Sequence, residues 1–188
     1  MDVQGAEEVD DSVGEGEPPG REPWLRFALV FGALAVGSEV LYYAVTLDSQ
    51  AFRAYLEVLT KISGVLLNAF GSDVSIYETR ITNSQFAVEV AAGCDAIQVC
   101  SLLAAAVIAF PIALKRKLRG LALGILWLQF LNLMRIITLF LIGVHFSGFF
   151  KTAHEVVWPG VLIVITIITW IMWVRWETRE EYSLEHEA

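Results

Sequence analysis

The sequence predicts an all-α polytopic membrane protein of about four transmembrane helices, with an interfacial or re-entrant helix and a short β-hairpin on the outer face. Three observations carry this reading. Hydrophobic residues make up 56% of the chain and charged residues 18%, and mean hydropathy is +0.58, far from a soluble domain. Runs of about 20 apolar residues follow one another, each long enough to cross a hydrocarbon core of about 30 Å. Between two of them, residues 73–90 switch to a two-residue alternation rich in β-branched and aromatic side chains.

Residues 1–22 are read as an acidic, disordered cytoplasmic tail. Asp2, Glu7, Glu8, Asp10, Asp11, Glu15 and Glu17 alternate there with Gly and Pro, leaving too little apolar surface to offset the entropy of ordering. The stretch also lacks the basic start and cleavage site of a secretory signal. The net charge of −8 therefore reflects the two ends of the chain. Without a basic patch interleaved with aromatics, nucleic-acid binding is not expected.

Residues 23–176 form the membrane-embedded domain. Its first span runs from about Leu25 to Leu47. In residues 51–70, Arg53, Glu57 and Lys61 fall at i, i+4 and i+8 on an otherwise apolar helix. That pattern suits an interfacial or re-entrant helix better than a span, although the segment is just long enough to cross. The alternation on both sides of Thr82-Asn83-Ser84 reads as a β-hairpin. Open strand edges are not tolerated in lipid, so the hairpin belongs in water or against protein.

The next span runs from about Asp95 to Leu114. Lys115, Arg116, Lys117 and Arg119 then crowd one short loop, which the positive-inside rule places in the cytoplasm. The spans from Leu121 to about Val144 and from Val156 to Val174 run outward and back, and residues 177–188 form a charged cytoplasmic tail. This topology puts the hairpin, Cys94 and the His145–Glu155 loop on the outer face.

Arg135 interrupts an apolar helix, where a guanidinium costs roughly 2.5–3.5 kcal/mol on insertion scales and marks a functional candidate. Gln129, Asn132, Arg135 and Thr138 recur every third residue and share one face. Cys94 begins its span, where a helix N-terminus and a nearby cation favour the thiolate. His154 opens the last span and has the chemistry of a base and then an acid in acyl transfer. Arg135 could stabilise an oxyanion or hold a substrate carbonyl, and Asn132 stands where it could orient Arg135.

Each residue also has a plain structural reading. Cys94 alone reads equally as a buried small apolar residue, His154 as an interfacial histidine, and Arg135 as the partner of Glu39 in the first span. Those readings together describe a non-enzymatic membrane scaffold or assembly factor built on an Arg135–Glu39 pair. A small-molecule carrier fits less well, because the spans are few and no inverted repeat is present. Cys100, two turns deeper without a polar helper, reads as structural, and its spacing from Cys94 precludes a disulfide between them. His154-Glu155 begins a zinc-protease HExxH pattern, but Trp158 occupies the second ligand position. The cysteines and histidines match no standard metal cluster. No metal or cofactor is expected.

Taken together, Cys94 starting a span after a hairpin, the run Asn132-Leu133-Met134-Arg135-Ile136 and a histidine opening the following span resemble the exosortase/archaeosortase family of membrane-embedded cysteine transpeptidases. The resemblance extends over residues 60–175. LWLQFLNLMRIITLFLIG followed by FKTAHEVVW looks most like the compact exosortase H branch. It implies that Cys94 is the nucleophile, Arg135 the cation that stabilises the transition state or orients substrate, and His154 the general base, with Asn132, Gln129 and Asp95 in support. It implies partners too: exported proteins ending in a sorting signal (a short motif of IPTL type, a transmembrane helix and a basic tail), an unknown acceptor, and membrane lipids. The implied location is a bacterial cytoplasmic (inner) membrane, multi-pass, with the site facing the periplasm. One departure stands out: Asp95 and Ala96 follow Cys94 where the family usually has a small polar residue and Gly. An adjacent carboxylate tends to raise a thiol pKa. On the sequence alone, Asp95→Asn is expected to leave activity intact or to lower its pH optimum.

Overall fold

A computed structural model describes residues 22–46 and 49–186 of the chain. The acidic segment 1–21 and the end of the first predicted span at Leu47 lie outside the described residues. The elements are α1 (Glu22–Thr46), α2 (Gln50–Ala69), β1 (Ser75–Tyr77), β2 (Arg80–Thr82), β3 (Ala87–Glu89), α3 (Ile97–Ala109), α4 (Leu114–His145), α5 (Ser147–Thr152), a π-helical turn (Ala153–Val157) and α6 (Trp158–His186).

Three helical stretches are long and apolar enough to cross a membrane: Trp24–Thr46, Leu114–His145 and Ser147–Arg179. This makes the chain an α-helical membrane protein, but the expected fourth span is shorter than anticipated. With 13 residues, α3 covers about 20 Å at 1.5 Å per residue, less than the core thickness. It ends at Phe110 because Pro111 follows, and the residue before a proline is pushed to extended backbone; Phe110 has ψ 132°. α3 nonetheless packs against α1, α4 and α6 and is the centre of the bundle.

The four helices alternate in direction and define two ends. At one end Phe27 of α1 stacks on Trp170 of α6, and Phe110 packs edge-on to Trp170 and Trp173. The basic residues 115–119 are here, and they form the first turns of α4 rather than a loop. Positive charge at a helix N-terminus is unfavourable, and neighbouring acceptors offset it. Lys117 Nζ donates to Ile108 O near the end of α3 at 2.6 Å. Arg119 pairs at 3.2 Å with Glu177, which is buried. α6 thus continues helically into the charged residues expected to be a tail.

The opposite end carries α2 and the strands. α2 is amphipathic: Phe52, Leu56, Leu59, Gly64 and Leu67 are buried, while Lys61 and Glu57 pair at 3.7 Å on the outside. It is not one of the membrane-capable helices, in keeping with the interfacial reading.

The expected hairpin is a three-stranded antiparallel meander, ordered β1-β2-β3. The anticipated turn at Thr82-Asn83-Ser84 joins β2 to β3, with Asn83 Oδ1 accepting from the backbone N–H of Gln85 at 2.9 Å and Phe86 at 2.8 Å. A further turn joins Tyr77 to Arg80 and is made by Glu78 at φ 50°. Glutamate seldom adopts that conformation, so nothing in the sequence announced it. Ile81, at the centre of the meander, is fully buried. Ile76 fills the space beside Gly64 of α2, and Phe86 the space beside Gly143 of α4.

Candidate active site

The site forms on the turn between β3 and α3. Gly93 takes φ 88°, open to glycine at no cost, and Ala96 takes φ 59°, a strained value for a residue with a Cβ. Between them stand Cys94 and Asp95, and three side chains of α4 hold this turn by its backbone. Arg135 donates through Nη1 to Gly93 O at 2.9 Å, Asn132 through Nδ2 to Cys94 O at 2.9 Å, and Gln129 through Nε2 to Asp95 O at 3.3 Å. Successive turns of α4 thus read successive carbonyls of the turn. This explains the three-residue spacing of the stripe. Thr138, its fourth member, bonds back to Met134 O and Arg135 O on its own helix and takes no part. Asn132 contacts the Cys94 carbonyl, where the sequence suggested that it would orient Arg135.

Cys94 Sγ lies 3.2 Å from His154 Nε2. The histidine sits in the π-helical turn, where Trp158 N–H reaches back five residues to Ala153 O. Pro159 supplies the physical reason: it has no N–H, and its ring clashes with the carbonyl four residues earlier, so the turn before it widens. Phe150 stacks on the imidazole at 5.8 Å and 8°. Phe150 in turn meets Phe86 of the meander at 5.2 Å.

The Cys94 thiol is buried, and burial raises its pKa above the ordinary value. The Arg135 cation opposes that rise, as does the contact with Ala91, while Asp95 adds the least. The expected effect of Asp95 on the thiol is therefore present but minor. Its carboxylate, 1% exposed, serves the backbone instead: Oδ1 accepts from Ile97 N at 2.7 Å, and Oδ2 from Gly93 N at 2.9 Å and Tyr42 Oη at 2.7 Å. A carboxylate beside a helix N-terminus with three donors is well satisfied despite its burial.

Two tyrosines escaped the sequence reading. Tyr42 brings α1 to the turn, and Tyr55 brings α2, donating to Asp95 O at 2.7 Å with Gln129 Oε1 at 3.0 Å. A polar hydroxyl at the end of an apolar span was the available signal for Tyr42. Tyr55 sits on the buried side of an amphipathic helix and gave none. Cys100 is buried in the bundle core beside Leu103 and Leu128, with Gln129 Nε2 3.9 Å from its sulfur. Glu39 accepts from Gln98 Nε2 at 3.0 Å, so the Arg135–Glu39 pair is not formed. Among the described residues no carboxylate stands within ion-pair distance of Arg135.

A bundle of apolar helices that brings a buried thiol, a half-buried imidazole and a buried guanidinium together at one end defines a membrane protein with a thiol–imidazole site. The chain belongs to the transmembrane exosortase family: the family model described as transmembrane exosortase (Exosortase_EpsH) matches residues 20–174. Comparison with curated proteins and with solved structures gives no match.

Proposed function

We propose that this protein is a membrane-embedded cysteine transpeptidase or protease. It cleaves the C-terminal sorting signal of exported proteins and passes the product to an acceptor through a Cys94 acyl-enzyme. The observation that carries this reading is the 3.2 Å approach of Cys94 Sγ to His154 Nε2 across 60 residues of chain, beside a buried cation.

Because burial keeps the thiol pKa high, the proton stays on sulfur at rest and leaves as attack begins. His154 Nε2 takes it while Sγ bonds the scissile carbonyl carbon. The developing oxyanion meets the remaining N–H donors of Arg135. Collapse breaks the C–N bond, and His154 returns the proton to the leaving amine. The acceptor then gives its proton to His154, attacks the thioester, and releases Cys94 as the thiol. Asn132, Gln129 and Asp95 hold the turn that presents the sulfur. The partner class is an exported protein with a motif, a transmembrane helix and a basic tail, as in the compact exosortase H branch that the sequence resembles.

The basic first turns of α4 support a cytoplasmic position for that end. The site end then faces the periplasm across a bacterial inner membrane, with α3 and its flanking extended residues as the fourth crossing.

The test is a co-expressed reporter carrying a C-terminal sorting signal from the same organism, followed as a size shift. Wild type, Cys94→Ala and Cys100→Ala are compared at matched membrane levels. Processing should disappear only in Cys94→Ala. Processing that persists in Cys94→Ala sinks the proposal.

A further inference from the structure

A cavity of about 320 Å³ lies between α1, α3 and α6 and shares Gly93, Asp95 and Arg135 with the site. Arg135 therefore stands between the Cys94 turn and this space. Its guanidinium is 4% exposed and makes one hydrogen bond, to Gly93 O, and its Nε is buried without a partner among the described residues. Most of its donors are unused, and a buried donor left unmade is costly.

Glu39 and Gln98 also line the cavity, and Gln98 is the only hydrogen-bond partner of Glu39 among the described residues. One carboxylate oxygen of Glu39 is therefore uncommitted, in the apolar middle of α1. The remaining walls are apolar, with Val99 and Leu102 from α3 and Leu162 and Ile163 from α6. α1 and α6 meet at the basic end, where Phe27 stacks on Trp170. At the site end the cavity lies between them.

We infer that this cavity is a substrate subsite. It takes an extended peptide residue next to the scissile bond, which places a carbonyl on Arg135 and a hydrogen-bond-donating side chain on Glu39. The inference rests on the transpeptidase reading for the identity of the occupant. Donors on Arg135 and an acceptor on Glu39, separated by aliphatic walls, complement a peptide carbonyl followed by a hydroxyl or amide side chain. The volume holds one or two residues, too little for a helix. Glu39 repels an acidic side chain and offers nothing to a purely aliphatic one. Glu39 and Gln98 are thus specificity residues.

Two readouts test this. In the first, reporters carry Thr, the isosteric Val, or Asp at the positions flanking the scissile bond, and processing is compared in wild type, Glu39→Leu and Gln98→Leu. Wild type should favour Thr over Val about tenfold at one position, the size of one lost hydrogen bond to a charged group, and reject Asp there. Glu39→Leu should erase the Thr preference while Cys94 alkylation remains normal; Gln98→Leu serves if Glu39→Leu fails to accumulate. A Thr preference that survives both changes overturns the subsite.

The second readout needs no catalysis. A benzoylphenylalanine photocrosslinker at Leu102, in the Cys94→Ala background, should capture the Thr reporter more than the Val reporter. The same probe at Val164, exposed on α6, should not discriminate. Crosslinking without processing would leave the subsite standing and remove the transpeptidase. Processing without crosslinking at Leu102 would do the reverse. Capture of lipid alone, or neither signal, overturns the inference.

Discussion

The hydroxyl of Tyr42 donates to Asp95 Oδ2 at 2.7 Å and accepts from Gly93 N at 3.0 Å. Through these two bonds the end of α1 is tied to the turn that carries Cys94, 52 residues away in the chain. Removing the hydroxyl leaves a buried carboxylate short of one donor, which costs about 1–3 kcal/mol.

Tyr42→Phe should therefore lower processing about tenfold at normal membrane levels. Because α1 is otherwise packed on α3, the variant should still accumulate. A loss that tracks protein level alone would make Tyr42 a folding residue and nothing more.

The structure reverses one expectation drawn from the sequence. Asp95→Asn replaces a carboxylate that accepts from three donors by an amide with a single acceptor oxygen. It should destabilise the Gly93–Ala96 turn by about 1–3 kcal/mol and abolish most processing, with a lower melting temperature in detergent. Full activity in Asp95→Asn would show that the turn holds without its carboxylate.

Burial raises the Cys94 thiol and Arg135 pulls it back. Alkylation of Cys94 by a small thiol reagent should accelerate with pH to beyond the ordinary thiol range of about 8.5. Arg135→Gln removes the opposing cation, so its alkylation profile should move to still higher pH. The linkage has one sign: a thiol pKa raised on folding adds stability that is complete below about 8.5 and lost as pH rises through the folded value. An alkylation rate already at its plateau near neutrality would contradict a raised thiol.

Arg135→Lys keeps a charge but loses the planar fork. Loss of at least about a hundredfold in processing is expected, in the range found when an oxyanion donor is removed. Turnover close to wild type would mean that a point charge suffices and no forked contact is made.

Gly143 lies against the ring of Phe86, which contacts Phe150, which stacks on His154. Gly143→Ala adds a Cβ in the space the Phe86 ring fills, at about 1–3 kcal/mol for overpacking. It should reduce processing more than Gly148→Ala, since Gly148 has open space around its Cβ direction. Equal effects of the two would uncouple the meander from the histidine.

The transmembrane helices were legible because composition over about 20 residues suffices to choose a bilayer over water, whatever the neighbours do. Arg135 was legible for the same reason: a charge in an apolar run is costly enough to stand out alone. The polar stripe on α4 could be read from spacing, since helix periodicity is local. What each member touches could not: Asn132 bonds the Cys94 carbonyl and Thr138 bonds back to its own helix.

The membrane class, the candidate residues and the family they resemble were readable along the chain, because those follow from local composition, periodicity and motif. Packing settled the third strand, the pairing of Glu39 with Gln98 and the tyrosine clamp on Asp95. Each of these depends on a backbone torsion that its residue type does not favour or on a partner 40 or more residues away. Such contacts are selected by packing across the whole bundle, and no window of sequence contains both sides of them.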